Sequence, residues 1–75
     1  MAKLAKFGAM VVRWRDSKKG WERWEEAIAF RAEPSLEGTE AVWGLAAQAA
    51  GKKWKQTTKC GWDIVELWME TPRRW

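Results

Sequence analysis

Histidine and tyrosine are absent from this chain, cysteine occurs once, at Cys60, and proline only at Pro34 and Pro72. Without imidazole or phenol, the chain lacks the commonest general base and a frequent acid of enzyme sites. A single cysteine forms no disulfide within the chain, and with no histidine it makes no zinc site. Lys59 and Gly61 beside it fit a somewhat activated thiol, but the ordinary reading is an inert loop residue, since Cys60 lacks a partner imidazole. Ser17 and Ser35 have no base near them in sequence, and the scattered single glycines form no phosphate-cradling loop. Glu25 and Glu26 alternate to opposite sides of a strand, as do Asp63 and Glu66, so neither is read as a pair of working carboxylates. Acidic residues are not clustered at coordination spacing. These absences argue against an enzyme, a metal site or a bound cofactor.

Long apolar runs are missing too. The longest uncharged stretch, Ala41 to Gly51, is too short to span a bilayer. Lys3 and Lys6 open the chain, but Arg13 and Arg15 interrupt before a signal-peptide core develops. The expectation is a single domain over residues 1–75 in the cytoplasm.

What the chain does have is tryptophan, eight of 75 residues, at 14, 21, 24, 43, 54, 62, 68 and 75. Domains of this size bury only about 60% of the surface their unfolded chains expose. Several indoles must therefore stay at the surface, and surface Trp beside Arg is the composition of a binding face. Trp43 and either Trp14 or Trp24 are expected in the core. Trp54, Trp68 and Trp75 are expected to be at least partly exposed.

Net charge is +4, from 14 basic and 10 acidic residues. Basic clusters stand at Lys18–Lys19, at Lys52, Lys53, Lys55 and Lys59, and at Arg73–Arg74. The acidic residues Glu22, Glu25, Glu26, Glu33, Glu37 and Glu40 fill the middle. Nucleic acid is one use for the basic set; solvated turns and helix ends are the ordinary one.

Residues 36–55 read as the clearest helix. Ser35 can cap it, Glu37 and Glu40 suit its positive end, and Lys52, Lys53 and Lys55 suit its negative end. Val42, Leu45, Ala46, Ala49 and Ala50 recur at helical spacing, with Leu45 at the centre of the expected buried stripe. The alanines suggest close packing on a flat sheet.

The remaining segments fit two periods. With period two, Met10, Val12 and Trp14 oppose Ala9, Val11 and Arg13, and 16–20 makes a hairpin turn. Trp24, Glu26, Ile28, Phe30 and Ala32 then share a face, and Trp62, Ile64, Glu66 and Trp68 alternate with Asp63, Val65, Leu67 and Met69. With period 3.6, Leu4, Phe7, Val11 and Trp14 form one stripe and Trp21, Trp24, Ile28 and Ala32 another, which gives a four-helix bundle. The β-branched pairs Val11–Val12 and Ile64–Val65 and the hairpin-like turn favour strands. The expected fold is α+β, a small antiparallel three-stranded sheet backed by one helix, in the order β-β-α-β.

One sheet face would pack on the helix and the other would display Trp and Arg. Arg13, Arg15, Trp21, Arg23, Trp62 and Trp68 are the candidate contact residues, with indoles as desolvated anchors and guanidiniums as orienting donors. Cations interleaved with indoles also suit single-stranded nucleic acid, whose bases stack on aromatic faces.

Two family resemblances bear on function. Glu26-Ala27-Ile28-Ala29-Phe30-Arg31-Ala32-Glu33, then Ser35-Leu36-Glu37 and Glu40-Ala41, look like a strand running into an amphipathic helix. Trp62-Asp63-Ile64-Val65-Glu66-Leu67 looks like a returning strand. Over about residues 10–72 this order resembles the small β-β-α-β proteins with which phages take over their hosts, such as the RNA polymerase inhibitor of T7-type phages. That resemblance implies a non-enzymatic inhibitor docking on a host protein; this chain differs in being basic and Trp-rich. Separately, Leu4-Ala5-Lys6-Phe7-Gly8, Val12-Arg13-Trp14, Lys19-Gly20 and Trp24 are similar to Trp-rich leaderless bacteriocins of the aureocin and lacticin Q type. Those are cationic helical bundles that disrupt membranes. Ten acidic residues and a longer chain weigh against that implication here.

Overall fold

Residues 3–70 are described by the computed structural model. In chain order they form β1 (Ala5–Ser17), β2 (Gly20–Ala32), a short 3-10 turn at Pro34–Leu36, α1 (Glu40–Lys53) and β3 (Cys60–Glu70). The strands make one antiparallel sheet in the order β2-β1-β3. The fold is therefore α+β with β-β-α-β order, and the stripes that suggested a helical bundle lie on strands. Good helix formers in β2 are overruled because its alternation puts Trp24, Glu26, Ile28, Phe30 and Ala32 on the face that α1 covers.

β1 and β2 are joined at Lys18–Lys19, with Ser17 opposite Gly20. Gly20 takes φ 109° there, a conformation that disfavours any side chain. The Ser17 hydroxyl ties the turn by donating to the Gly20 carbonyl and accepting from the Lys19 N–H.

The helix is shorter than the expected 36–55. Pro34 starts a separate 3-10 turn, and Gly38 at φ 77° breaks it from α1. Thr39, not Ser35, occupies the N-cap, and its hydroxyl bonds back to the Leu36 carbonyl instead of capping. Of the two expected first-turn acids only Glu40 lies inside, while Lys52 and Lys53 do occupy the last turn.

The core lies between α1 and one sheet face. Phe7, Ala9, Val11, Ile28, Ala32 and Ile64 meet Val42, Ala46 and Ala50. Phe7 and Phe30 stack with centroids 5.5 Å apart. Small alanines at the contact let the helix lie close to the sheet. Leu45 is not the buried centre: the covered line runs Val42, Ala46, Ala50, with Leu45 half-buried on its flank. Trp43 is likewise not core; it stands on the outer side of α1 at 43% exposure.

Alternation breaks once, in β3. Met10 pairs with Glu66 and Val11 with Ile64, so Val65 is an extra residue in a β-bulge. The bulge overturns the simple alternation read for 62–69. Trp62, Ile64, Leu67 and Met69 face the helix side, while Asp63, Val65, Glu66 and Trp68 face away. Asp63 and Glu66, expected on opposite sides, share one.

α1 spans about 21 Å at 1.5 Å per residue, under half of the 49 Å long axis. It covers the Phe7–Val11 part of the sheet, and the hairpin extends beyond it. Among the described residues, no helix is long and apolar enough to cross a membrane.

Candidate functional site

The sheet face away from α1 has no covering layer among the described residues. Its middle row comes from β1: Gly8, Met10, Val12 and Trp14. Two tryptophans lie flat on this face because glycine leaves room beneath them. A Cβ on Gly61 would fall 2.7 Å from Trp14 Cζ2, and one on Gly8 would collide with the Trp68 indole. Each glycine is the cross-strand partner of the residue concerned, Trp14 with Gly61 and Gly8 with Trp68. An indole laid over a cross-strand glycine covers backbone that no side chain of its own protects.

Towards the hairpin the face opens into a shallow cleft of about 480 Å³, lined by Val12, Trp14, Trp21, Glu22, Arg23, Asp63 and Val65. Val12 forms its floor at 4% exposure, while Trp21 and Val65 stand out at 63% and 50%. Exposed large apolar side chains beside half-covered indoles form a contiguous patch of the kind that marks interaction sites. The charges on this face are Lys6, Arg23 and Arg31 against Asp16, Glu25, Asp63, Glu66 and Glu70. Acidic groups outnumber basic ones here, although the whole chain is basic.

Of the six candidate contact residues, Trp21, Arg23 and Trp68 lie on this open face, with Trp68 further along the sheet than the other two. Arg13, Arg15 and Trp62 lie on the opposite, helix-side face. Flanking residues of Trp14 must point away from it in a strand, so Arg13-Trp14-Arg15 never formed one surface. Trp14 and Val65, not among the candidates, join the open face. The glycines opposite Trp14 and Trp68 were the available signal, but it needs the cross-strand register to be read.

Arg13 serves the interior. Its guanidinium sits 4.4 Å from the Trp54 ring centroid and 5.0 Å from that of Trp24, and Nη1 donates to Glu26 at 3.1 Å. Trp24 Nε1 donates to the same carboxylate oxygen at 2.6 Å. That bond, with Arg13 adding to it, holds the Glu26 carboxyl below its ordinary value. Trp62 Nε1 donates to the Trp54 carbonyl, and Trp54 is the C-cap of α1. Three indoles thus tie the helix end to the sheet. Arg15 pairs with Glu22 at 2.9 Å in a more exposed position, with Trp24 5.5 Å away.

Arg73, Arg74 and Trp75 lie outside the described residues. Cys60 is not a loop residue but the first of β3, opposite Arg15, half-buried with its thiol near the Thr57 hydroxyl and the Lys55 carbonyl. Among the described residues no group of three or more acidic or cysteine side chains is placed to hold a metal ion. Comparison with protein-family models, with curated proteins and with solved structures finds no match to the chain.

Proposed function

We propose that the protein is a small non-enzymatic binding module that docks on a partner protein through the open sheet face. Trp14, Trp21, Val65 and Trp68 supply the apolar contact and Arg23 orients the partner. In this reading it inhibits a protein of a host cell, as the phage proteins it resembles in element order do.

The observation that carries the reading is the apolar cleft between Trp21 and Val65, with the flat indole of Trp14 in its wall. Indoles held in place by packing lose little freedom on binding, which suits them as anchors. The charge of the face favours protein over nucleic acid. Asp63 lines the same cleft as Trp14 and Trp21, and a carboxylate beside a stacking platform repels phosphate. A membrane surface fits less well for the same reason, since anionic lipids attract basic faces.

Affinity capture from host lysate, with and without nuclease, tests this. The expected result is a protein partner retained after nuclease, with modest salt dependence. Loss of the complex on nuclease treatment, or a steep fall in affinity with salt, would replace the reading with nucleic-acid binding.

A further inference from the structure

Beyond that face, the outer edge of β2 has features of its own, and we infer that it is a self-association site that joins two copies of this chain through antiparallel β2–β2 pairing.

The edge is long, and neither proline nor a bulge interrupts it. β2 runs 13 residues, Gly20–Ala32, at the margin of the sheet, and contains neither proline nor lysine. Its register with β1 is unbroken. Natural edges are ordinarily blunted by such residues or by bulges; the opposite edge, β3, carries the bulge at Val65. The direction of the free groups follows from one bond. Asp16 N–H donates to the Lys59 carbonyl, towards β3. Hydrogen bonding alternates along an antiparallel strand, so the odd residues of β1 bond to their even partners on β2. The main-chain groups of Trp21, Arg23, Glu25, Ala27, Ala29 and Arg31 therefore point outward.

Charge selects a partner and a register. Arg23, Glu25, Arg31 and Glu33 make no ion pair among the described residues, whereas Lys6, Arg13 and Arg15 each do. Pairing β2 with a second β2 about a two-fold axis at Ile28 places Glu25 opposite Arg31 and Ala27 opposite Ala29, and brings Arg23 opposite Glu33, the extended residue just beyond the strand. The two-fold repeats each pair, and the outward groups meet as hydrogen-bonded pairs. Neighbouring registers fail on charge. Centring on Ala27 sets Arg23 against Arg31, and centring on Glu26 sets that carboxylate against its own copy. Like charges directly opposite destabilise a strand pair, and opposite charges stabilise it. The product is a continuous six-stranded sheet with the two open faces side by side.

Sedimentation velocity across a wide concentration range tests the inference, with three variants. The wild type should pass from 8.8 kDa to twice that mass as concentration rises. Arg31→Glu should raise the dimer dissociation constant about tenfold or more, and adding Glu25→Arg to it should restore dimerisation. Ala27→Pro removes an outward N–H without costing a bond to β1, and should abolish the dimer while circular dichroism stays that of the folded chain. A wild type that remains monomeric throughout would overturn the proposal. So would a dimer indifferent to Ala27→Pro, or one that the charge swap fails to restore.

Discussion

Gly61→Ala probes the seating of Trp14 with a single added carbon. In an ordinary strand the change would be mildly stabilising, since glycine costs about 0.5–1 kcal/mol relative to alanine. Here the new Cβ would stand 2.7–2.8 Å from three atoms of the Trp14 indole, so the ring must lift. A net loss of about 1–3 kcal/mol is expected, the range for overpacking. Chemical denaturation measures it, and a gain in stability would mean the indole is not held there. Arg13 and Arg15 make a second comparison. Arg13 lies between two indoles with a carboxylate partner, so Arg13→Ala should cost about 1–3 kcal/mol. Arg15→Ala breaks an exposed pair and should cost under about 1 kcal/mol. Equal losses would contradict the assignment of Arg13 to the interior. Glu26 adds a pH dependence. Its carboxyl is lowered from 4.5 by the Trp24 N–H and by Arg13, so its stabilising contribution is present above 4.5 and fades as pH falls through the lower folded-state value. Melting temperature against pH should therefore fall less steeply in that acid range for Glu26→Gln than for the wild type.

At the scale of elements, the hairpin and the helix were legible because their signals are local. Lys18, Lys19 and Gly20 announce the turn, and Val42, Ala46 and Ala50 repeat at the spacing of one helix face. For 21–32 both periods fit, and what favours strand over its good helix formers is the hairpin-like turn before it and the β-branched pairs in the neighbouring strands. The start of α1 differs from the expected residue 36 because Ser35 offers a cap in sequence, while Gly38 enforces a break that only its φ reveals. The bulge was not legible at all. Nothing in Trp62–Trp68 marks Val65 as the extra residue, since the mismatch arises from pairing with Met10 and Val11. That one residue decides that Trp68 faces away from Trp62, while the hairpin register, with Arg13 opposite Trp24, already sets Arg13 and Arg15 on the other face from Trp21 and Arg23. The helix contact offers its own test. Ala46 is fully covered between α1 and the sheet, and Ala46→Leu should cost about 1–3 kcal/mol through overpacking. Gln48→Leu, on the exposed side, should stay within about 0.5 kcal/mol of wild type. A stability for Ala46→Leu equal to wild type would show that the helix does not lie close at that point.

For the whole molecule, one helix cannot cover a sheet about twice its length, and it covers only one side. Trp24, Trp54 and Trp62 close the end of the helix-side core. Trp14, Trp21 and Trp68 remain on the other side, where no second layer shields them among the described residues. Partner docking is the account's explanation for leaving so much apolar surface on a small domain. The most direct test is calorimetric titration of the protein captured from lysate with three variants, each with its melting temperature measured. Val65→Glu places a charge in the open cleft, Trp21→Ala removes its most exposed indole, and Trp43→Ala removes an indole from the outer side of α1. The first two should each weaken binding by about 2 kcal/mol or more, roughly 30-fold, with melting temperatures near wild type, and Trp43→Ala should bind as wild type does. Undiminished binding by Val65→Glu and Trp21→Ala, or its loss in Trp43→Ala alone, would contradict the account.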